Sequence, residues 1–307
     1  MTLTKTKYIL NKWFQIFKKT GIKFIDENPF KHSASTAYFT IFSLPAIGIA
    51  AITLAGYFYE DVAVREQFLS QVNELMGKGG SEQVESLLNA AAVSSDNIWL
   101  RIIGIGTLLF SATTVFISLQ DSLNTIWKIK PKPEKGYIKL LINRLLSLAM
   151  IAALGFLILV SLLADAIISF LHRTMEDWLN GLTYYLIQLI NVGISLGFIT
   201  LVFAVIFKVL PDARLKWRDV WVGSFVTTLL FVAGKFGLGY YLGTADVGAS
   251  YGAAGSLVAL LVWVYYSVLI LLFGATLTYV HAKHMGRIIK PSEGAVAIKI
   301  EEVELED

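Results

Sequence analysis

Six times along this chain apolar residues run on for about twenty positions: about Ala34–Phe58, Ile102–Leu119, Leu145–Leu171, Tyr184–Phe207, Val220–Leu242 and Ser256–Val280. A helix rises about 1.5 Å per residue and a bilayer core is about 30 Å thick, so such runs are long enough to cross it. Lipid offers no partner to a bare N–H or C=O, and a crossing segment must satisfy its own backbone, which predicts helices rather than open strands. The pattern therefore predicts an all-α polytopic membrane protein with a six-helix transmembrane domain over residues 34–286.

Outside these runs the pattern turns amphipathic. The stretch "KYILNKWFQIFKKTGIKF" puts Ile9, Leu10, Trp13, Phe17 and Phe24 near one helical face and Lys12, Lys18, Lys19 and Lys23 elsewhere. A basic helix of this kind, within residues 1–33, is expected to lie on an anionic leaflet. The loop over 59–99 holds two helical patterns, Val62–Phe68–Leu69–Val72–Leu75–Met76 and Val84–Leu87–Leu88–Ala91, joined by "GKGGS". It reads as a cap over the bundle, or as a lid or partner-docking element. The acidic tail over 287–307, with alternation at Val296, Ile298 and Ile300, reads as disordered or as a strand awaiting a partner.

Charge sets the orientation. Most of the 26 Lys and Arg lie before the first run, between the second and third, between the fourth and fifth, and after the sixth. The alternate loops hold only Arg65, Lys78 and Arg173. The positive-inside rule then places both termini in the cytoplasm and the 59–99 loop outside. Topology alone produces this alternation, so the basic segments do not call for a nucleic-acid partner. Composition agrees with a lipid solvent: 55% of residues are hydrophobic, 16% are charged and mean hydropathy is +0.63, against about 25% charge in soluble domains. With no cysteine, thiolate and disulfide chemistry are excluded.

Four blocks stand in order: "STAYFTIFSLPAIGIA", "SLQDSLNTIW", "LPDARLKWRDVWVGS" and "YGAAGSLVALLVWVYYSVLILLFGATLTYV". Together they resemble the YihY/BrkB family of bacterial inner-membrane proteins over about residues 20–285. The resemblance implies six helices with cytoplasmic ends and localisation in the bacterial cytoplasmic membrane. It also carries an old ribonuclease label and a loose association with virulence and envelope transport, but no catalytic residues. The nuclease label fails on chemistry. Phosphodiester hydrolysis needs a metal clamp or an acid–base pair that nucleic acid can reach. Asp121, Asp212 and Asp219 are far apart in the chain, and His281 and His284 have no third ligand in view. Neither a metal, a cofactor nor an enzymatic activity is expected.

Candidate chemistry lies inside the runs. Thr107, Ser111, Thr114, Ser118, Ser122 and Thr125 form one helical stripe. Tyr184, Gln188, Asn191 and Ser195 form a second, Ser224, Thr228 and Lys235 a third, and Ser256, Ser267, Gly274 and Thr278 a fourth. In lipid such stripes face other helices or a wet cavity. Lys235 and Asp165 are expected at similar depth in the outer half, each costing about 2.5–3.5 kcal/mol if left alone at a helix centre. They are read either as an ion pair or shared polar site, with Arg101 nearby, or as a snorkelling lysine and a solvated acid. Pro45, Gly237 and Gly239 are candidate hinges, and Gly193 and Gly197 either close-packing or hinge positions. These features lead to the expectation of a non-enzymatic, flippase-like carrier of a lipid or other amphipathic envelope component, with membrane lipids as partners. The alternative is a scaffold docking an envelope protein through the 59–99 loop. A homo-oligomer is compatible with either.

Overall fold

A computed structural model describes residues 2–56, 61–91, 98–132, 182–244 and 255–299, together with Leu145, Ala149 and Phe156. In chain order the elements are α1 (Thr2–Asp26), α2 (Pro29–Gly56), α3 (Asp61–Ala91), α4 (Ile98–Ile126), β1 (Ile129–Pro131), α5 (Leu182–Val209), β2 (Ala213–Arg214), α6 (Trp217–Thr244), α7 (Gly255–His284), β3 (Lys290–Pro291) and β4 (Ala295–Ala297). Among the described residues, four stretches are long and apolar enough to cross a membrane: Pro29–Ile52, Val192–Val209, Trp217–Leu238 and Leu257–His284. The second expected run lies within α4. The third, about 145–171, lies outside the described residues apart from the three named.

The turn between α1 and α2 falls earlier than the apolar pattern indicates. Asn28 ends α1 in the left-handed region, φ 52°, a conformation its short polar side chain tolerates. Pro29 follows at the first helical position, where a missing N–H costs nothing. The segment expected to run to residue 33 therefore ends at Asp26.

Although α3 keeps helical backbone along its length, it doubles back on itself. Arg65 donates to the Asn89 side chain at 2.5 Å and lies 3.6 Å from Glu85. In a straight helix residues this far apart in sequence would be more than about 30 Å apart. Phe68 and Leu88 meet over Gly48 of α2. The midpoint of these contacts falls at "GKGGS", the joint between the two helical patterns. Val64, Phe68, Val84 and Leu88 are spent against α2 and α7.

Helix α7 is the hub, packing against α1, α2, α3, α4 and α6. Its fit with α6 is reciprocal. A Cβ on Gly223 would fall 1.8 Å from Thr278 Oγ1, and a Cβ on Gly274 would fall 1.7 Å from Thr227 Oγ1. Each threonine hydroxyl donates to the glycine carbonyl four residues earlier on its own helix, Thr227 to Gly223 at 2.7 Å and Thr278 to Gly274 at 2.8 Å. Hydroxyls are thus satisfied internally and fill the hollows that the opposing glycines leave, the small-residue packing that lipid favours.

The described part of the tail, to residue 299, is not free. β4 pairs antiparallel with β1 (Ile129↔Ala297) and β3 with β2 (Ala213↔Pro291). Lys132 N–H donates to Gly294 at 2.9 Å, Ser292 N–H to Asp212 at 2.9 Å and Ile298 N–H to Lys128 at 2.8 Å. Of the two readings of the tail, disorder or a strand awaiting a partner, these described residues follow the second, and the partner is the chain's own loops. The main core lies beside this strap, with Leu123, Ile126 and Trp127, Phe203 and Phe207, Leu271 and Leu272, and Ala295 in one cluster. Trp127 Nε1 donates to the Ala275 carbonyl at 3.0 Å.

Candidate functional site

A groove of about 850 Å³ opens between α1, α5 and α6, within the roughly 300–1,000 Å³ usual for ligand sites. α1 supplies Trp13 and Phe17; α5 supplies Gly193, Leu196, Gly197 and Thr200; α6 supplies Trp221, Val222, Phe225 and Val226. The spacing of each set is one helical face. Space at Gly193 and Gly197 is genuine, because a Cβ there would meet nothing within 4 Å. The two glycines read from the sequence as packing or hinge positions instead widen this hollow.

The wall from α1 is held by its other face. Ile16 is fully buried against Leu277 and Val280 of α7. Trp13 stacks on His281 with ring centroids 5.8 Å apart, and Phe24 meets Phe273 edge-on at 5.4 Å. Leu10, Phe14 and Ile25 are left exposed. The single apolar face expected of α1 is thus split in two, one part against protein and one turned outward. Basic residues occupy the remaining circumference, as in an interfacial helix.

Groove polarity is graded. Among the described residues its polar lining side chain is Thr200, which donates to Thr228 Oγ1 at 3.0 Å, and Thr228 donates to the Ser224 carbonyl at 2.9 Å. α5 and α6 are joined by a short connection and run antiparallel. The Thr200–Thr228 bond therefore sets Lys235, two turns further along α6 on the same side, level with Gly193. Lys235 is half-buried on that seam.

Below the groove, Asp219 is buried at the start of α6 and bound by Arg287, and its Oδ1 lies 3.5 Å from His281 Nδ1. The hydrogen bond to Asp219 raises the Arg287 pKa, outweighing the opposing effect of desolvation. Asp212 is joined twice to Asn124, accepting from Nδ2 at 3.0 Å and donating its backbone N–H to Oδ1 at 2.9 Å. Two of the three acids weighed for hydrolysis are therefore tied into helix-end contacts. Among the described residues no three of His, Cys, Asp and Glu gather as a metal site.

The remaining sequence-selected residues fall on separate seams. Ser111 donates to the Phe42 carbonyl at 3.1 Å, and its own carbonyl accepts from Ser43 at 2.5 Å. Ser118 shares a 3.0 Å hydrogen bond with Thr36, so the α4 stripe is the contact with α2. Thr114 bonds back to Phe110 at 3.0 Å and Ser267 to Trp263 at 2.8 Å. Ser195 is exposed on α5. Pro45 lies inside α2, which continues past it, and Gly237 has open space where a Cβ would stand. Asp165 lies outside the described residues. Arg101, Gln188, Asn191 and Gly239 are described only as helical backbone positions. Sequence reasoning missed the groove itself. Its available signal was the Gly193–Gly197 step on α5 together with Trp13 and Trp221, each next to a basic segment.

A bundle of apolar helices around a central α7, with an apolar groove on its flank, defines a helical integral membrane protein. The sequence model of the family described as "Virulence factor BrkB" matches residues 23–296, and the chain belongs to that family. The match runs past the last of the four sequence blocks and takes in most of the strap. Among curated proteins it is 25% identical over 260 residues to the UPF0761 membrane protein of Xanthomonas campestris pv. campestris. It is 26% identical over 260 residues to that of Xanthomonas oryzae pv. oryzae. In each case the match covers 83% of this chain and 58% of the relative, so the chain spans under two thirds of those relatives' length. No solved structure matches.

Proposed function

We propose that the protein is a non-enzymatic, flippase-like carrier of a lipid or other amphipathic envelope component in the bacterial inner membrane. In this reading six helices cross the bilayer, both termini are cytoplasmic, and the groove takes an acyl chain from the adjoining leaflet. The groove carries the argument: it is apolar, open at the side, lined by aromatics at one end and by two glycines at the other, and flanked by a basic interfacial helix. The scaffold reading is weaker because α3 turns its large apolar residues inward onto α2 and α7. Native mass spectrometry of gently extracted protein tests the carrier. A lipid class should co-purify with the wild type, and Gly197→Phe, which fills the groove, should lose it. A wild type that carries no lipid, or a folded variant that keeps its full complement, sinks the reading.

A further inference from the structure

We infer that the groove selects an anionic glycerophospholipid, its phosphate held at Arg218 and its chain lying toward Gly193. The inference rests on the carrier reading and names its substrate class. Arg218 is exposed and precedes Trp221 by three positions and Val222 by four, so it stands on the groove face of α6 one turn nearer the helix start. Beyond it the lining passes through Val222, Phe225 and Leu196 to the open glycines. One cation at the mouth followed by an apolar trough is the outline of an anionic amphiphile.

The surrounding charges keep that mouth positive. Asp219, next to Arg218 in sequence, is buried and bound by Arg287. Glu27, at the far end of α1, is buried and bound by Lys23 and Lys128. Lys18 and Lys19 on α1, Lys216 before α6, and Lys283 at the end of α7 are all exposed. Asp26 is the exposed acid of α1 and lies beyond Phe24, away from the Trp13 end that lines the groove. The buried acids are already neutralised by partners, so an arriving phosphate meets cations that are not committed to them.

Trp13 and Trp221 line the groove and provide the readout. The full-length protein would be reconstituted in phosphatidylcholine vesicles containing a minor fraction of chain-brominated phosphatidylglycerol or chain-brominated phosphatidylcholine. Fluorescence that disappears in the Trp13→Phe/Trp221→Phe variant is the groove signal. Brominated phosphatidylglycerol should quench that signal at concentrations on the order of fivefold lower, the factor that one basic side chain's attraction of about 1 kcal/mol provides. Arg218→Gln should remove the preference while keeping quenching by both lipids, and Arg218→Lys should restore it. Equal quenching of the wild type by the two lipids overturns the selectivity and leaves the carrier reading standing. So does a Lys18→Gln/Lys19→Gln variant that loses the preference as fully as Arg218→Gln, since the cause would then be general attraction to the leaflet. If neither lipid quenches the groove signal, the groove holds no chain and the carrier reading falls as well.

Discussion

Glu27 is the clearest case of a single residue holding distant parts together. Its carboxylate is buried at the α1–α2 turn, 2.6 Å from Lys23 Nζ and 2.8 Å from Lys128 Nζ at the end of α4. Burial pushes its pKa up, but hydrogen bonds from Lys128 and Lys23 outweigh that and hold it below the ordinary 4.5. Lys23 moves down from 10.5, because burial there outweighs its share of Glu27 and two further lysines repel it. The carboxylate therefore gains from the cluster while Lys23 bears a cost at neutral pH. A carboxyl with a lowered folded pKa contributes stability above its unfolded value and loses it as pH falls through the folded one. Glu27→Gln leaves two ammonium groups facing a neutral amide. Breaking a fully buried pair costs about 3–5 kcal/mol. Both lysines reach water here, so about 2 kcal/mol is expected at pH 7. Thermal unfolding in detergent should show the variant melting lower at neutral pH, with the gap closing as pH falls below the ordinary carboxylate value of 4.5. Neither lysine partner could be named with certainty from sequence: Lys23 sits at a helical i,i+4 spacing, but Lys128 is 101 positions away and no periodicity links them.

At the scale of elements, the sequence says which helix faces are not for lipid but not what they meet. The α4 stripe from Ser111 to Ser122 is legible by its spacing, yet a helix-facing seam and a cavity wall need the same hydroxyls. The Thr36–Ser118, Ser43–Ser111 and Ser111–Phe42 bonds separate the two. Glycine is ambiguous in the same way. Gly274 admits a neighbour and Gly237 faces open space, but both are glycines inside apolar helices. Substitution should tell them apart. Gly274→Ala drives a methyl into Thr227, whose hydroxyl is fixed to Gly223 and whose β-branched side chain has few other rotamers. A loss of about 1–3 kcal/mol is expected, the usual cost of overpacking. Gly237→Ala meets nothing and should gain up to about 1 kcal/mol through helix propensity. Melting temperatures of the two variants, measured side by side in one detergent, should move in opposite directions.

For the molecule as a whole, the strap decides where movement can occur. By pairing β3 with β2 and β4 with β1, the tail ties the end of α4 to the α5–α6 connection, and the Asn124–Asp212 bonds join the same two places. Backbone pairing across such a distance leaves little trace in sequence beyond the alternation at Val296 and Ile298, which marks a strand without marking its partner. One end of the bundle is therefore braced. A carrier built on this frame would have to open along the groove wall, where α1 is held on α7 mainly through Trp13, Ile16 and Phe24. Ending the chain at Ile289 removes both tail strands while leaving α7 and the Asp219–Arg287 contact intact. The shortened protein should still insert and fold, because the packing of α6 on α7 does not involve the strap. Its freed loops should be cut several-fold faster by trypsin after Lys128, Arg214 and Lys216, as expected when a braced segment opens more often. Unchanged cleavage at those three sites would mean that the contacts between α4 and the α5–α6 connection hold them without the tail, and the brace would then lie in Asn124 and Asp212 alone.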